Sequence, residues 1–367
     1  MSRRPRRPAR RATPRARAAA PRRPRFKAMA LGAGATSAAL IVLLAALGLW
    51  LFYAPGPAAK PTTVVLREGA GLTEIASTLD EADAVGSASV FMAAAQLSGA
   101  ARSLKAGEYL VPARASLASI LDQIRSGRVV RHFVTIPEGR TSEQAVAILM
   151  ANPVLTGSAP VPPEGSILPE TYEVRRGDDR AVVLQRMTVA QDRLLAQLWP
   201  KRQAGLPFNT QVEALTLASV VEKETALASE RPRIAAVFVN RLRKGMRLES
   251  DPTIIYGLTR GQPLGRGIRL SELTTPTPYN TYFIPGLPPT PIANPGRAAI
   301  AAVLDPPKTT ELFFVANGQG GHVFASTFEE HQRNVTRWRQ LERNGAAAAV
   351  ASGKLGAPAA RPAGARP

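Results

Sequence analysis

The first pattern along the chain is an unbroken apolar one. From Ala28 to Ala59 there are 32 residues without a charge, densest from Met29 to Tyr53 and ending in Trp50, Phe52 and Tyr53. About 20 apolar residues cross a bilayer as a helix and aromatic residues favour its interface, so the run predicts one membrane-spanning helix over 28–53. A signal peptide's apolar core, about 7–15 residues, is shorter. Residues 54–61, rich in Pro and Ala, predict a stiff linker. The pattern then changes period. Val64-Val65-Leu66 reads as a strand, Glu68-Gly69 as a turn, and Leu72, Ile75, Ala76 and Leu79 as one face of a helix. The unit returns as Val134-Thr135-Ile136, Glu138-Gly139, and a helix from Ser142 to Leu149. Between the two, Leu104–Pro112 reads as a turn and strand and Leu117–Ile124 as a short helix, so 62–160 is expected to hold small α+β modules.

Pro160–Pro163 marks the next boundary, and 161–343 carries mixed helix and strand signals, a mixed α/β domain. Within it, Thr210-Gln211-Val212-Glu213 fits a capping box and predicts a helix from 210 through Thr225. A second helix comes after it, with Ser229 as its cap, Ile234, Val237, Phe238 and Leu242 as its buried stripe, and Gly245 as its stop. Arg247–Thr253 reads as a polar turn, and Tyr279–Pro289 as a proline-stiffened loop offering hydroxyl, amide and aromatic groups. The Ala-, Gly- and Pro-rich end, 344–367, predicts disorder. The fold expected is therefore α+β behind a single N-terminal membrane helix.

Charge settles the orientation. The net charge is +20, but twelve Arg or Lys lie in residues 1–27 without one acid, leaving +8 for the rest. That tail is expected to be disordered and cytoplasmic, with 54–367 across the membrane, by the positive-inside rule. A basic character confined to a tail argues against nucleic acid as a partner of the folded part. Zero cysteines exclude disulfides, thiolate catalysis and Cys-ligated metals. His132, His322 and His331 have no metal-site spacing, so no metal or cofactor is expected.

One carboxylate stands apart. On the helix from 210, Leu217, Val220 and Val221 lie within about 60° of Glu224, while Glu222 lies about 160° away, on a side taken to be exposed. A carboxyl group on an apolar face is desolvated and tends to stay protonated near neutral pH, the state a general acid needs. The plainer alternative is that Glu224 is only the ion-pair partner of Arg231, Arg241 or Arg247.

Several segments together resemble the endolytic murein transglycosylases of the MltG (YceG-like) family. They are Pro169-Glu170-Thr171-Tyr172, Ser219–Thr225, Val237–Leu242, Met246–Thr253, Tyr279-Asn280-Thr281-Tyr282, Gly286–Gly296, Phe313–Ala316 and Gly320–Phe324. The resemblance spans about residues 62–340. It departs at Glu249, where Gln is expected, and at Thr290, where Gly is expected. The resemblance implies a single-pass protein of the inner membrane, its catalytic domain periplasmic, that cuts peptidoglycan glycan strands between N-acetylmuramic acid and N-acetylglucosamine. It implies Glu224 as the catalytic residue, and peptidoglycan synthases as partners. Substrate-binding roles are expected for Glu170, Tyr279, Asn280 and Asp251. The first small module, through Lys105-Ala106-Gly107-Glu108-Tyr109-Leu110, resembles the glycan-binding LysM fold.

Three alternatives stay open on the residues alone. A hydrolase of the same strands would need a second carboxylate, for which Glu249 or Asp251 could serve. A non-catalytic scaffold would use the LysM-like module. A nucleic-acid binder would use the Arg-rich tail.

Overall fold

A computed structural model describes residues 25–351, with side chains described over 36–344. Most of the basic tail and residues 352–367 therefore lie outside the described residues. The chain divides into two compact units, split between Val129 and Val130.

In the first unit, α1 (Arg25–Tyr53) is a 29-residue helix whose Thr36–Tyr53 stretch has a mean hydropathy of 2.1 and no buried share. It is the helix, among the described residues, long and apolar enough to cross a membrane. Then come β1 (Thr62–Leu66), α2 (Leu72–Glu81), α3 (Ala88–Leu97), β2 (Gly107–Val111) and α4 (Leu117–Ser126). The strands pair antiparallel, Val64 opposite Tyr109. Ile75, Leu79, Phe91, Tyr109, Ile120 and Ile124 form the core beneath them. The helix α3 has no counterpart in the periodicity reading, because its Ala-rich sequence is apolar nearly all round.

The second unit begins with β3 (His132–Thr135), α5 (Ser142–Ala151), β4 (Thr171–Val174) and the long α6 (Arg180–Leu198). β3 pairs antiparallel with β4. That pairing runs across the boundary expected at 160/161 and corrects it: residues 130–160 belong to the second unit, not to the small module. The repeat of strand, Glu-Gly turn and helix is real in both units. Gly69 and Gly139, at φ +80° and +73°, each stand three residues before a helix, in a conformation that disfavours a Cβ.

Next are α7 (Gln211–Glu224), α8 (Arg231–Arg243), α9 (Asp251–Thr259), the short α10 (Leu270–Thr274) and α11 (Arg297–Leu304). A hairpin of β5 (Phe313–Ala316) and β6 (His322–Ala325) and the terminal α12 (Phe328–Ala351) complete the unit. All named strand pairs are antiparallel, so this unit is α+β rather than α/β. The disorder expected from residue 344 is corrected over 344–351, where α12 continues to Ala351 through a run of alanines, the best helix formers.

The helix α7 is the centre of the unit. Thr210 and Glu213 form the expected capping box, and every residue from Ala214 to Glu222 is buried. Leu217, Val220 and Val221 pack with Ile234, Val237, Phe238 and Ile300 of α8 and α11. Each such side chain contributes roughly 1.5–3 kcal/mol when fully buried, enough to hold the helix end rigidly. Thr225 is extended at φ −141° and ψ 137°, so α7 stops at Glu224. The cap of α8 is Glu230 rather than Ser229, while Gly245, at φ +67°, terminates it as expected.

Candidate active site

Glu224 is the last helical residue of α7 and is half-buried. Burial of its carboxyl pushes its pKa from 4.5 up to about 7. The hydroxyl of Ser250 donates to Oε1 and pulls in the opposite direction, as does the charge of Arg241, while the charge of Asp251 pushes further up. The C-terminal end of a helix, where carbonyls gather, also disfavours a negative charge. Glu224 is thus a carboxyl group poised to hold and release a proton near neutral pH.

The loop that presents Ser250 is built from the core outward. Arg241 of α8 is buried, and its guanidinium donates to the carbonyls of Leu312 (2.6 Å), Arg247 and Leu248 (3.1 Å each) and to Glu249 Oε2 (3.0 Å). Glu249 sits at φ +53°, a conformation uncommon for a residue with a side chain. Arg241 holds it there from the side-chain end. The Ser250 amide donates to Thr281 Oγ1 at 3.0 Å, and Thr253 Oγ1 donates to the Ser250 carbonyl at 2.6 Å. Asp251 opens α9 with Pro252 behind it, so the expected polar turn is the first turn of a helix. Proline suits that position, where its missing N–H has no intrahelical partner. The Tyr282 hydroxyl donates to Asp251 Oδ1 at 2.8 Å, and burial followed by the Asp251 charge pushes the Tyr282 pKa upward.

Of the anticipated site residues, Asp251 joins Glu224 in one group. Tyr279 lies farther along, its hydroxyl 2.8 Å from Thr290 Oγ1, its ring 5.1 Å from that of Tyr256. Asn280 is fully buried, and its amide donates to the carbonyls of Glu272, Leu273 and Thr275. It shapes the loop that carries Tyr279 and Tyr282. Glu170 is exposed and accepts from Arg297 at 3.3 Å, at the start of α11.

Glu222 corrects the expectation that it faces solvent. It is 8% exposed, accepts from Arg231 at 2.7 Å and from the Gly296 amide at 2.9 Å, and burial pushes its pKa upward. Arg231 also binds Glu138 at 2.9 Å. The last turn of the helix therefore carries two carboxyl groups on opposite sides, one locked in an ion-paired core and one held by a single serine. Neither Arg231 nor Arg241 forms an ion pair with Glu224, and Arg247 donates instead to the Tyr282 carbonyl, so the ion-pair alternative for that residue falls. Ser250, Arg241 and Tyr282 were not among the anticipated site residues. A serine before Asp-Pro signals a helix cap, but nothing local says that its hydroxyl serves another helix.

The turn after Glu224 is fixed in its own right. Glu230 accepts from the His322 amide and lies against His322 Nδ1, both at 2.7 Å, and from Thr225 Oγ1 at 3.4 Å. On the other flank, a cavity of about 480 Å³ opens between Lys223 of α7, the Glu138–Thr141 loop and Tyr256 of α9.

Comparison with known proteins places these elements in a family. Residues 64–337 match the model of the YceG-like family, a span that contains both strand–Glu–Gly–helix repeats, α7 and the Ser250 loop. A Bacillus subtilis (strain 168) protein named endolytic murein transglycosylase is 28% identical over 306 residues, covering 74% of this chain and 84% of that protein. One of the same name from Streptococcus pneumoniae serotype 2 is 30% identical over 326 residues, covering 75% of this chain and 58% of the longer streptococcal protein. A 2.6 Å crystal structure of a YceG-like protein from Listeria monocytogenes is 28% identical. It covers 75% of this chain and 98% of its own, with a TM-score of 0.48. With three quarters of its length matched by the family model, the chain belongs to the YceG-like family.

Proposed function

We propose that this chain is a membrane-anchored endolytic peptidoglycan transglycosylase with Glu224 as its acid–base residue. The observation that carries the reading is the Glu224 carboxyl itself, held by Ser250 and protonated up to about pH 7 by burial. The shared name of the relatives from Bacillus and Streptococcus supports the substrate, a glycan strand of N-acetylmuramic acid and N-acetylglucosamine.

One carboxyl group suffices for the reaction. Glu224 gives its proton to the glycosidic oxygen as the bond to muramic acid C1 breaks, and becomes a carboxylate. That carboxylate then takes the proton of the C6 hydroxyl of the same sugar, whose oxygen closes onto C1. The products are a free hydroxyl on the leaving strand and a 1,6-anhydro end, and Glu224 is again protonated without water being consumed. The positive charge that develops at C1 is offset by Asp251, which Tyr282 steadies. Tyr279 offers an aromatic face for a sugar ring, Asn280 supports it by shaping their shared loop, and Glu170 serves a more distant part of the strand.

The helix α1 would hold the enzyme in the inner membrane with the basic tail cytoplasmic and the second unit periplasmic. Cutting strands within their length beside the membrane would end their elongation, next to the synthases that make them. The small unit, with its strand–helix–helix–strand order, is the candidate LysM-like glycan holder.

The hydrolytic alternative is favoured by one observation, the influence of the Asp251 carboxylate on Glu224. Mass spectrometry of soluble products released from purified sacculi by the full chain in detergent separates the two. The proposed reaction leaves anhydromuramic ends. Reducing muramic ends would make Asp251 the partner of a hydrolase, and no release would remove the enzyme reading.

A further inference from the structure

We propose that the cavity beside α7 is a subsite for a carboxylate of the peptide stem borne by the glycan strand, held by Arg140 and Lys223. The inference rests on the glycan strand being the substrate.

The cavity's walls are polar where they meet α7. Arg140 and Thr141 come from the loop after β3, Lys223 from α7, Tyr256 from α9, and Gln262 from the turn beyond α9. Among the described residues, neither Arg140 nor Lys223 forms an ion pair. The Lys223 ammonium donates a long hydrogen bond, 3.4 Å, to the Gly139 carbonyl. Burial, and then the neighbouring charge of Arg140, make the Lys223 cation harder to hold. The acid on the same wall, Glu138, is engaged by Arg231, which also binds Glu222. Summed over these five groups, the cavity keeps one uncompensated positive charge.

Two like charges brought beside one cavity without an ion-pair partner, and only partly offset by the charge of Glu222 behind Lys223, cost free energy, which an anion entering between them recovers. The anions of a glycan strand are the carboxylates of the stems hanging from muramic acid. Lys223 directly precedes Glu224, so a carboxylate bound to it belongs to the sugar being cut or to its neighbour. Two residues of extended stem reach at most about 7 Å, so only a stem close to the cut could bring its carboxylate to Lys223. Gly261 closes the far wall. A Cβ built there would lie 2.3 Å from Thr141 Cγ2, so the 261–264 turn and the start of α5 are held in close approach. The subsite would thus select strands with charged stems and set their register against Glu224.

The test uses the full chain in detergent and three uncrosslinked strands: native stems, stems with their carboxyls amidated, and strands stripped of stems by an amidase. The stripped strands keep only the lactyl carboxylate on the sugar. Wild type is expected to lose about tenfold or more in kcat/KM on amidated and stripped strands, mostly through KM. Arg140→Gln and Lys223→Gln should lose as much on native strands and nothing further on the other two. Equal loss by the variants on all three strands would reveal a merely structural effect and overturn the proposal. So would cleavage of stripped strands as efficient as that of native ones, which would move recognition to the lactyl group. Strand affinity measured with Glu224→Gln should repeat the pattern without cleavage. Absence of cleavage by wild type would count against the catalytic reading alone, whereas absence of this affinity pattern would sink the subsite. Arg140 and Lys223 are both exposed, so both variants are expected to stay folded, and Arg140→Gln remains informative if Lys223→Gln melts early.

Discussion

Ser250 stands at the N-cap of α9, yet its hydroxyl serves another helix, donating to Oε1 of Glu224 at the end of α7. A serine at that position usually satisfies its own helix's amides. Here the cap is given up, and the bond opposes the burial that pushes the Glu224 pKa up to about 7.

The rate should therefore carry the signature of this pair. A general acid works only while protonated, so kcat/KM is expected to fall as pH rises through about 7, where Glu224 ionises. Ser250→Ala removes the bond that favours the carboxylate, and should move that alkaline limb to higher pH. A pH–rate profile of both proteins on soluble glycan strands checks the direction. An unmoved limb would mean that another group sets it.

Stability should respond with the opposite sign to that of an ordinary salt-bridged carboxylate. The Glu224 pKa is raised on folding, from 4.5 to about 7, so below pH 4.5 the group is protonated in both states and costs nothing. Above about 7 it must ionise in a buried setting, and the fold loses about 3 kcal/mol at most, since each tenfold change in proton affinity is worth about 1.4 kcal/mol. Glu224→Gln lacks that cost. The variant is expected to melt higher than wild type at pH 8.5, with the gap closing as pH falls to 4.5. Thermal melts across that range measure it.

How much of this was legible beforehand depended on whether a residue's partners were local. The Thr210–Glu213 cap, the apolar face around Glu224 and the stop at Gly245 all depend on neighbours a few positions away, and each could be read from spacing. Glu222 looked solvent-facing, since periodicity places it opposite Glu224. Its companions, Arg231, Glu138 and the Gly296 amide, come from 9 to 84 positions away, so no window along the chain contains them. The domain boundary shifts for the same reason: β3 finds β4 across the proline-rich segment that reads as a boundary. Pro252 disguised the start of α9 as a turn, and with it the role of Ser250. Asn280 had the right chemistry for a substrate contact, but three backbone carbonyls already claim its amide.

Glu222→Gln is consequently a structural lesion. Neutralising one partner of a buried pair leaves Arg231 with only the part-exposed Glu138, and breaking such pairs commonly costs about 3–5 kcal/mol. The retained hydrogen bond from Gly296 softens this, so a loss of about 2 kcal/mol and a lower Tm are expected. Activity per folded molecule at low temperature should stay within about tenfold of wild type, because the side chain points away from the Glu224 group. Denaturant titration together with rates at low temperature separates the two effects.

The most direct measurement is the release of anhydromuropeptides from purified sacculi by Glu224→Gln, compared with wild type at neutral pH and matched folded concentration. Glutamine preserves size and can still accept from Ser250, but it has no proton to give. General acid–base catalysis contributes about 10²–10⁴-fold, so release should fall by at least that order while the melt shows a folded protein. Release within tenfold of wild type from a folded Glu224→Gln protein would contradict the account, and would place the acid on a residue other than the one that closes α7.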